Sequence, residues 1–469
     1  MMHSAPDDAS FINDRIVFDC LEHTARPEPA RVRAILEKAR SLRGLDFDET
    51  ATLIAIESPD LKEELFATAR FIKDAIYGSR LVMFAPLYIS NRCANECVYC
   101  AYRASNRELG RITLSQEQIA AETRVIVEQG HKRILLVAGE SYPDHNRLSY
   151  VYDAVGTIYA TRSGNGEIRR VNVNIAPLSV DDFRELKATG IGTYQCFQET
   201  YHRDTYAQVH LRGRKRDYNW RASVMDRAMQ AGIDDVGIGP LLGIYDWRFE
   251  LLAMLQHIRH LEERFGCGPH TISVPRLEPA SGTDFTGTTP YKVSDADFLK
   301  LVAILRVTVP YTGMILSTRE TPAIRHQCYQ IGISQTSAGS RTDPGGYELV
   351  KGDFYKSQFA VGDSRPLDEV VKEIAEMGFT PSFCTACYRT GRTGVDFMDM
   401  AKPGEIKYHC EPNALSTFTE YLEDYANPET KKAGEQLILH QIAGMDEKQR
   451  EIAAPMIEAV RSGERDVYV

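Results

Sequence analysis

Of the ten cysteines in this chain, six fall into two groups. The first, Cys93-Ala-Asn-Glu-Cys97-Val-Tyr-Cys100, puts three thiols within eight residues. The second is Cys384-Thr-Ala-Cys387, followed after 22 intervening residues by Cys410. Thiolate is the metal-binding form of cysteine, and thiols packed this closely read as ligands rather than as a disulfide framework. A closed structural zinc site takes four protein ligands, and each group offers three. His409 is a possible fourth ligand for the second group, although adjacent residues seldom point at one metal. Three cysteines fit a 4Fe–4S cluster whose remaining iron is free to bind an outside molecule. Between Cys387 and Cys410, Arg389 and Arg392 are placed to offset the negative charge of such a cluster. Cys20, Cys196, Cys267 and Cys328 are scattered and read as small buried apolar residues.

The elements around these groups change character along the chain. Residues 1–80 read as a helical preface: Val32, Ile35, Leu36 and Ala39 recur at helical spacing. Ser58-Pro59 then opens a second amphipathic run of Leu61, Leu65, Phe66, Ala69, Ile72 and Ile76, which stops at Gly78. From residue 81 short apolar runs alternate with longer amphipathic segments. The candidate strands are Leu81–Leu87, Ile134–Ala138, Val171–Ile175, Gly192–Cys196, Asp235–Ile238, His270–Val274, Thr312–Leu316 and Gly332–Gln335. Eight strands joined by crossover helices predict an α/β fold, a (β/α)8-type barrel over 81–340, with a doubly wound open sheet as the rival. The first cysteine group follows the first strand directly, at the mouth where barrel enzymes keep their active sites. After about residue 340 the rhythm stops. Residues 341–469 read as a mainly helical region, with helices near Leu367–Met377, Asn413–Tyr425 and Lys431–Arg461, and they carry the second cysteine group.

Composition narrows the class. A 469-residue chain with 43% apolar and 26% charged residues can bury a large core. Its net charge of −10 gives no polyanion-binding surface, and the densest basic run, Arg212, Arg214, Lys215 and Arg216, reads as a solvated loop. Neither a signal-peptide core nor a membrane-length apolar run is present, so the expectation is a soluble cytoplasmic protein without nucleic-acid or membrane partners.

The CxxxCxxC loop after the first barrel strand resembles the radical S-adenosylmethionine (SAM) superfamily, across residues 81–340. The resemblance implies that the open iron of a 4Fe–4S cluster chelates SAM and that reductive cleavage releases a 5′-deoxyadenosyl radical. Tyr99 matches the aromatic residue common between the last two cysteines. Ala138-Gly139-Glu140 resembles the Gly-Gly-Glu segment that holds the SAM amino group, with alanine in place of its first glycine. Gln195 and Glu199 are implied to reach the ribose or methionine portion, and Gly237 and Gly239 to allow close approach near adenine.

The whole chain resembles the FeFe-hydrogenase maturases of the HydG family, through the cysteine triad, the phrase GPHTISVPRLEPA at 268–280 and the C-terminal Cx2Cx22C. The resemblance implies cleavage of L-tyrosine to p-cresol and dehydroglycine. The latter is converted to carbon monoxide and cyanide on an iron–cysteine unit beside an auxiliary 4Fe–4S cluster with an additional iron. An electron donor such as ferredoxin or flavodoxin and hydrogenase maturation partners are implied as well. His270 is the candidate ligand for that additional iron, or else a histidine satisfied in the barrel interior. Arg319, with Ser317 and Thr318 as donors, is the candidate clamp for the tyrosine carboxylate, and Arg276 is its alternative. Two other readings are the tyrosine lyase of thiamine thiazole synthesis, with one cluster per chain, and a non-catalytic iron–sulfur carrier.

Overall fold

The computed structural model describes residues 8–143, 147–348 and 357–469. Four helices come first: α1 (Asp14–His23), α2 (Pro29–Ala39), α3 (Phe47–Ile54) and α4 (Pro59–Tyr77). Proline at the first position of α4 costs nothing, because that amide has no helical partner anyway. Ser58 occupies the N-cap but makes no side-chain cap bond, and Gly78 closes α4 at a positive φ of 60°.

Nine strands follow: β1 (Arg80–Ser90), β2 (Arg133–Ala138), β3 (Arg170–Asn174), β4 (Tyr194–Gln195), β5 (Val236–Ile238), β6 (Thr271–Ser273), β7 (Gly313–Leu316), β8 (Gln335–Ser337) and β9 (Thr380–Ser382). They run β8-β7-β6-β5-β4-β3-β2-β1-β9, all parallel, and β8 also pairs with β1. That last pairing closes the expected barrel and excludes the open sheet. Every residue of β1 is buried, as a strand covered on both faces requires. A small hairpin, Arg162–Ser163 with Gly166–Glu167, lies outside the barrel.

Three departures from the sequence expectation have local causes. The eighth strand begins at Gln335 rather than Gly332. Gly332 instead ends the helix Pro322–Ile331, its amide bonded to Cys328 O and its carbonyl held by the Arg306 guanidinium. The last expected helix is two, Pro428–Gly444 and Glu447–Arg461, because Asp446 starts a new helix with a capping box to Gln449. The ninth strand, Thr-Pro-Ser, is too short and too proline-bearing to be read from sequence. It pairs Arg80↔Thr380 through Val82↔Ser382, so it lies against the first three residues of β1.

That register decides where the two cysteine groups sit. Cys93 comes just after Ser90, beyond the C-terminal end of β1, while Cys384 follows Ser382, level with Val82 near its start. At ~3.3 Å per residue, roughly 25 Å of strand separates the two levels. The groups therefore occupy opposite ends of one barrel.

Candidate functional site

The loop carrying Cys93, Cys97 and Cys100 is held as an antiparallel clasp against residues 209–212. Val98 N bonds to Val209 O, Leu211 N to Glu96 O and Glu96 N to Arg212 O. Gly213 (φ 85°) turns the chain so close to Asn95 that a side chain there would collide with it. Gly139 is needed for a similar reason, since a Cβ on it would run into Arg92 O. The clasp buries Tyr99, whose hydroxyl meets His210 Nε2 at 2.9 Å, while His210 Nδ1 meets Tyr206 O at 3.0 Å. A carbonyl only accepts, so Nδ1 carries the proton and Nε2 accepts from the tyrosine. Burial holds His210 well below the usual imidazole range, consistent with a neutral ring.

The three cysteines open onto a cavity of about 1440 Å³, counting its open mouth, which Glu140, Gln195, Glu199, Ser317, Thr318 and Arg319 also line. Burial raises all three thiols, Cys93 to about 11, so metal binding would have to displace their protons. Glu140 Oε1 accepts from Arg221 Nη1 at 3.0 Å and Oε2 from Asn95 Nδ2 at 2.6 Å. Burial works against the Glu140 carboxylate, but Arg221 and Lys215 outweigh it and keep the group below its ordinary range. Lys215 Nζ donates to Glu199 Oε1 at 2.5 Å. Glu199 holds a left-handed φ of 70°, uncommon for a residue with a side chain and typical of ligand-clamping positions. Gln195 is buried, and its Oε1 has no partner among the described residues. An orphaned acceptor facing a cavity fits a ligand hydroxyl or ammonium. Two partly buried carboxylates, that acceptor and three thiols suit an iron–sulfur cluster with a zwitterionic nucleoside ligand.

Gly237 and Gly239 do not line this cavity. A Cβ on Gly237 would press against Thr271 and Gln195, and one on Gly239 against Ser273 O, so their missing side chains serve strand packing. Arg319 and Arg276 separate clearly. Arg276 is committed to Glu320 and to Asp295, the latter at 2.7 Å, and does not face the cavity. Arg319 lies with its guanidinium carbon 3.3 Å from the centre of the Phe359 ring and makes no salt bridge among the described residues. Ser317 and Thr318 lie beside it, although Thr318 O is taken by the amides of Gly362 and Asp363.

At the other end of the barrel a cavity of about 580 Å³ is lined by Cys384, Cys387, Cys410, His270, Arg80 and Arg133. The neighbouring Cys410 thiol pushes Cys387 down to about 6 against the effect of burial, with help from Arg80 and Arg392. Burial raises the Cys384 thiol, and Arg80 and Arg133 line the same cavity as cations able to support thiolates. Arg389 turns away, pairing with Asp466 and stacking on Tyr468. His270 is buried with its Nδ1 3.4 Å from Asp235 Oδ1, and its ring packs on Phe397. His409 does not line the cavity; its Nδ1 faces Arg392. Sequence reasoning missed Arg80, Arg133, Lys215 and Arg221 as site residues. Each becomes a site residue only through long-range folding, and only Lys215 lay in a motif, one read as a solvated loop.

Comparison with known proteins agrees with this geometry. The profile of the radical SAM superfamily matches residues 87–255, and that of the biotin and thiamin synthesis associated domain matches 273–380. The 2-iminoacetate synthase of Escherichia coli (strain K12) is 32% identical over 356 residues, 75% of this chain and 90% of that protein. The crystal structure of HydG, a maturase of the [FeFe]-hydrogenase, superposes with a TM-score of 0.95 at 49% identity. It covers 98% of this chain and 100% of its own. The HydG structure from Carboxydothermus hydrogenoformans gives a TM-score of 0.84 at 39% identity, with the same coverage.

Proposed function

The chain belongs to the HydG family of radical SAM enzymes, and on that premise we propose that it cleaves L-tyrosine to p-cresol and dehydroglycine, with carbon monoxide and cyanide as later products. The observation that carries this reading is the presence of two three-cysteine cavities at opposite ends of one barrel. The extent of the likeness supports it: similarity to HydG spans 98% of the chain, against 75% for the 2-iminoacetate synthase.

When bound at Cys93, Cys97 and Cys100, a 4Fe–4S cluster with SAM supplies a 5′-deoxyadenosyl radical. The protein's part is placement and exclusion of water. Glu140, held by Arg221 and Asn95, offers a fixed carboxylate to the SAM ammonium. Gln195 supplies its unpaired oxygen, and Glu199 a second carboxylate, to the ribose or methionine portion. Tyr99 buttresses the cysteine loop through His210. Arg319 forks the tyrosine carboxylate, with Ser317 and Thr318 beside it and Phe359 fixing the guanidinium plane. At the lower cavity Cys384, Cys387 and Cys410 would hold the auxiliary 4Fe–4S cluster. His270 would hold the additional iron, which with cysteine is the cargo that receives carbon monoxide and cyanide.

No helix among the described residues is long and apolar enough to cross a membrane. A cytoplasmic setting, a ferredoxin- or flavodoxin-type donor and hydrogenase maturation partners complete the proposal, as does a division of labour between residues 1–80, 81–340 and 341–469. The test is anaerobic turnover of iron-reconstituted protein with tyrosine, SAM and a reductant. Both p-cresol and carbon monoxide are expected. Cresol with no carbon monoxide would favour the lyase of thiamine synthesis, and no cresol would overturn the tyrosine reading.

A further inference from the structure

Away from both cysteine cavities, Cys20, His23 and Asp48 converge where α1 meets α3, each ligand atom within 4.8 Å of the others. Cys20 and His23 stand three residues apart on α1 and share one face of it. Asp48 lies in the first turn of α3, whose entry is fixed by the Asp46–Glu49 capping box. The arrangement is therefore built by two rigid elements.

The histidine carries the strongest signal. His23 Nδ1 lies 2.7 Å from the Asp19 carbonyl, and Nε2 lies 2.6 Å from Asp48 Oδ1. The carbonyl can only accept, so Nδ1 bears the hydrogen. A neutral ring would then aim the Nε2 lone pair at a carboxylate oxygen, which is repulsive. At 2.6 Å the gap holds a second proton, which a metal taken up by both atoms would displace as they part. A histidine anchored through Nδ1–H to a carbonyl, leaving Nε2 as the ligand atom, is the usual form of a metal-ligating imidazole. Cys20 is 4% exposed, and its sulfur faces the same point. Burial, then Asp48 and Asp46, push its thiol up to about 11 against the opposing charge of Arg31, so a metal would have to displace that proton.

We propose that Cys20, His23 and Asp48 form a mononuclear site for a borderline-soft divalent cation, zinc best of all, that clasps α1 to α3. One sulfur, one imidazole nitrogen and one carboxylate oxygen make a mixed set that suits zinc, with water in the fourth position. Binding displaces the thiol proton and the Nε2 proton, and no electron moves. Arg31, which pairs with the other Asp48 oxygen and is half exposed, competes with the metal for that carboxylate. The rival account is a metal-free ion-pair network of His23, Asp48 and Arg31.

The experiment uses the full-length, iron-loaded enzyme, equilibrated with zinc and passed over a desalting column with a mild chelator. Zinc and iron per chain are measured for wild type, Cys20→Ser, His23→Ala and Arg31→Ala. Wild type should retain about one zinc more than either ligand variant, at unchanged iron, and bind it at least ~10-fold more tightly. Its zinc absorption edge should show a single sulfur at about 2.3 Å. Arg31→Ala should hold zinc as well or better, because a competing cation is gone. His23 is exposed, so its variant should fold even if burial makes Cys20→Ser unstable. Equal zinc in wild type and His23→Ala, a sulfur-rich zinc shell, or zinc loss in Arg31→Ala would each overturn the site.

Discussion

Arg221 binds Glu140 directly, Nη1 to Oε1 at 3.0 Å, and the same guanidinium reaches within 3.5 Å of Glu199. One buried cation thus touches both carboxylates proposed to meet SAM, with Lys215 sharing Glu199, while its Nε is tied to Phe197 O at 2.7 Å. Removing one member of such a buried pair strands the other's charge, typically at ~3–5 kcal/mol. Arg221→Ala should lower the melting temperature by several degrees and weaken SAM binding by about tenfold or more. Arg221→Lys should recover part of the stability but not the fork. An Arg221→Ala protein with wild-type melting and SAM affinity would show that the pair is dispensable.

Glu250 should make stability fall as pH rises. Its side chain is fully buried, accepting from the Thr200 hydroxyl and, at 2.8 Å, from the Tyr201 amide. Burial, only partly offset by these bonds, raises it from 4.5 to about 8. A carboxyl raised on folding binds its proton more tightly in the folded state, so stability declines from about pH 4.5 upward and levels off above about 8. Glu250→Gln keeps the shape without the titration. Melting of the wild type should drop between pH 6 and 8.5 more than that of the variant. Parallel curves would reject the buried-carboxyl account.

Arg319→Lys should raise the tyrosine requirement roughly tenfold or more at normal iron content, since an ammonium cannot reproduce a two-pronged clamp. Arg276→Lys is the control. Its guanidinium already serves Glu320 and Asp295, so the change should cost stability and leave tyrosine dependence alone. A reversed pattern would move the carboxylate site to Arg276.

Much of this was legible in the sequence because it is local. Three thiols in a loop after a strand, or an apolar run such as Leu81–Leu87, announce themselves within a few residues. Lys215 sat in plain view inside a basic run, but nothing in the sequence says that its ammonium turns inward to Glu199 while Arg212 stays 69% exposed. Arg80 is a charge at the start of a strand until Thr380–Ser382 pairs beside it and brings the C-terminal cysteines to its side. Gly237-Ile-Gly239 is ambiguous for the opposite reason. Glycine at a strand end fits close ligand approach and close strand packing equally well, and the structure adds that the packing here is close.

The last prediction asks whether the two ends of the barrel do separable work. Cys384, Cys387 and Cys410 approach the start of β1, whereas Cys93, Cys97 and Cys100 lie past its end. The lower cysteines therefore touch none of the groups that would hold SAM or tyrosine. Their loss has a structural cost, because Arg80 and Arg133 would face a cavity with less negative charge to balance them. That cost falls on the N-terminal rim of the barrel. A Cys384→Ala/Cys387→Ala protein should thus still cleave tyrosine, giving p-cresol at a reduced rate, with roughly half the iron of wild type if each triad holds one 4Fe–4S cluster. Carbon monoxide, trapped by a haem protein, should fall to near background, and hydrogenase maturation should fail. Cyanide can persist in part, because dehydroglycine can decompose without its iron. Cys97→Ala should instead abolish p-cresol and SAM cleavage together. Wild-type carbon monoxide from the double variant would make the lower site structural. Loss of p-cresol from it would mean that the rim and the mouth are coupled through the barrel and cannot be assigned separate steps.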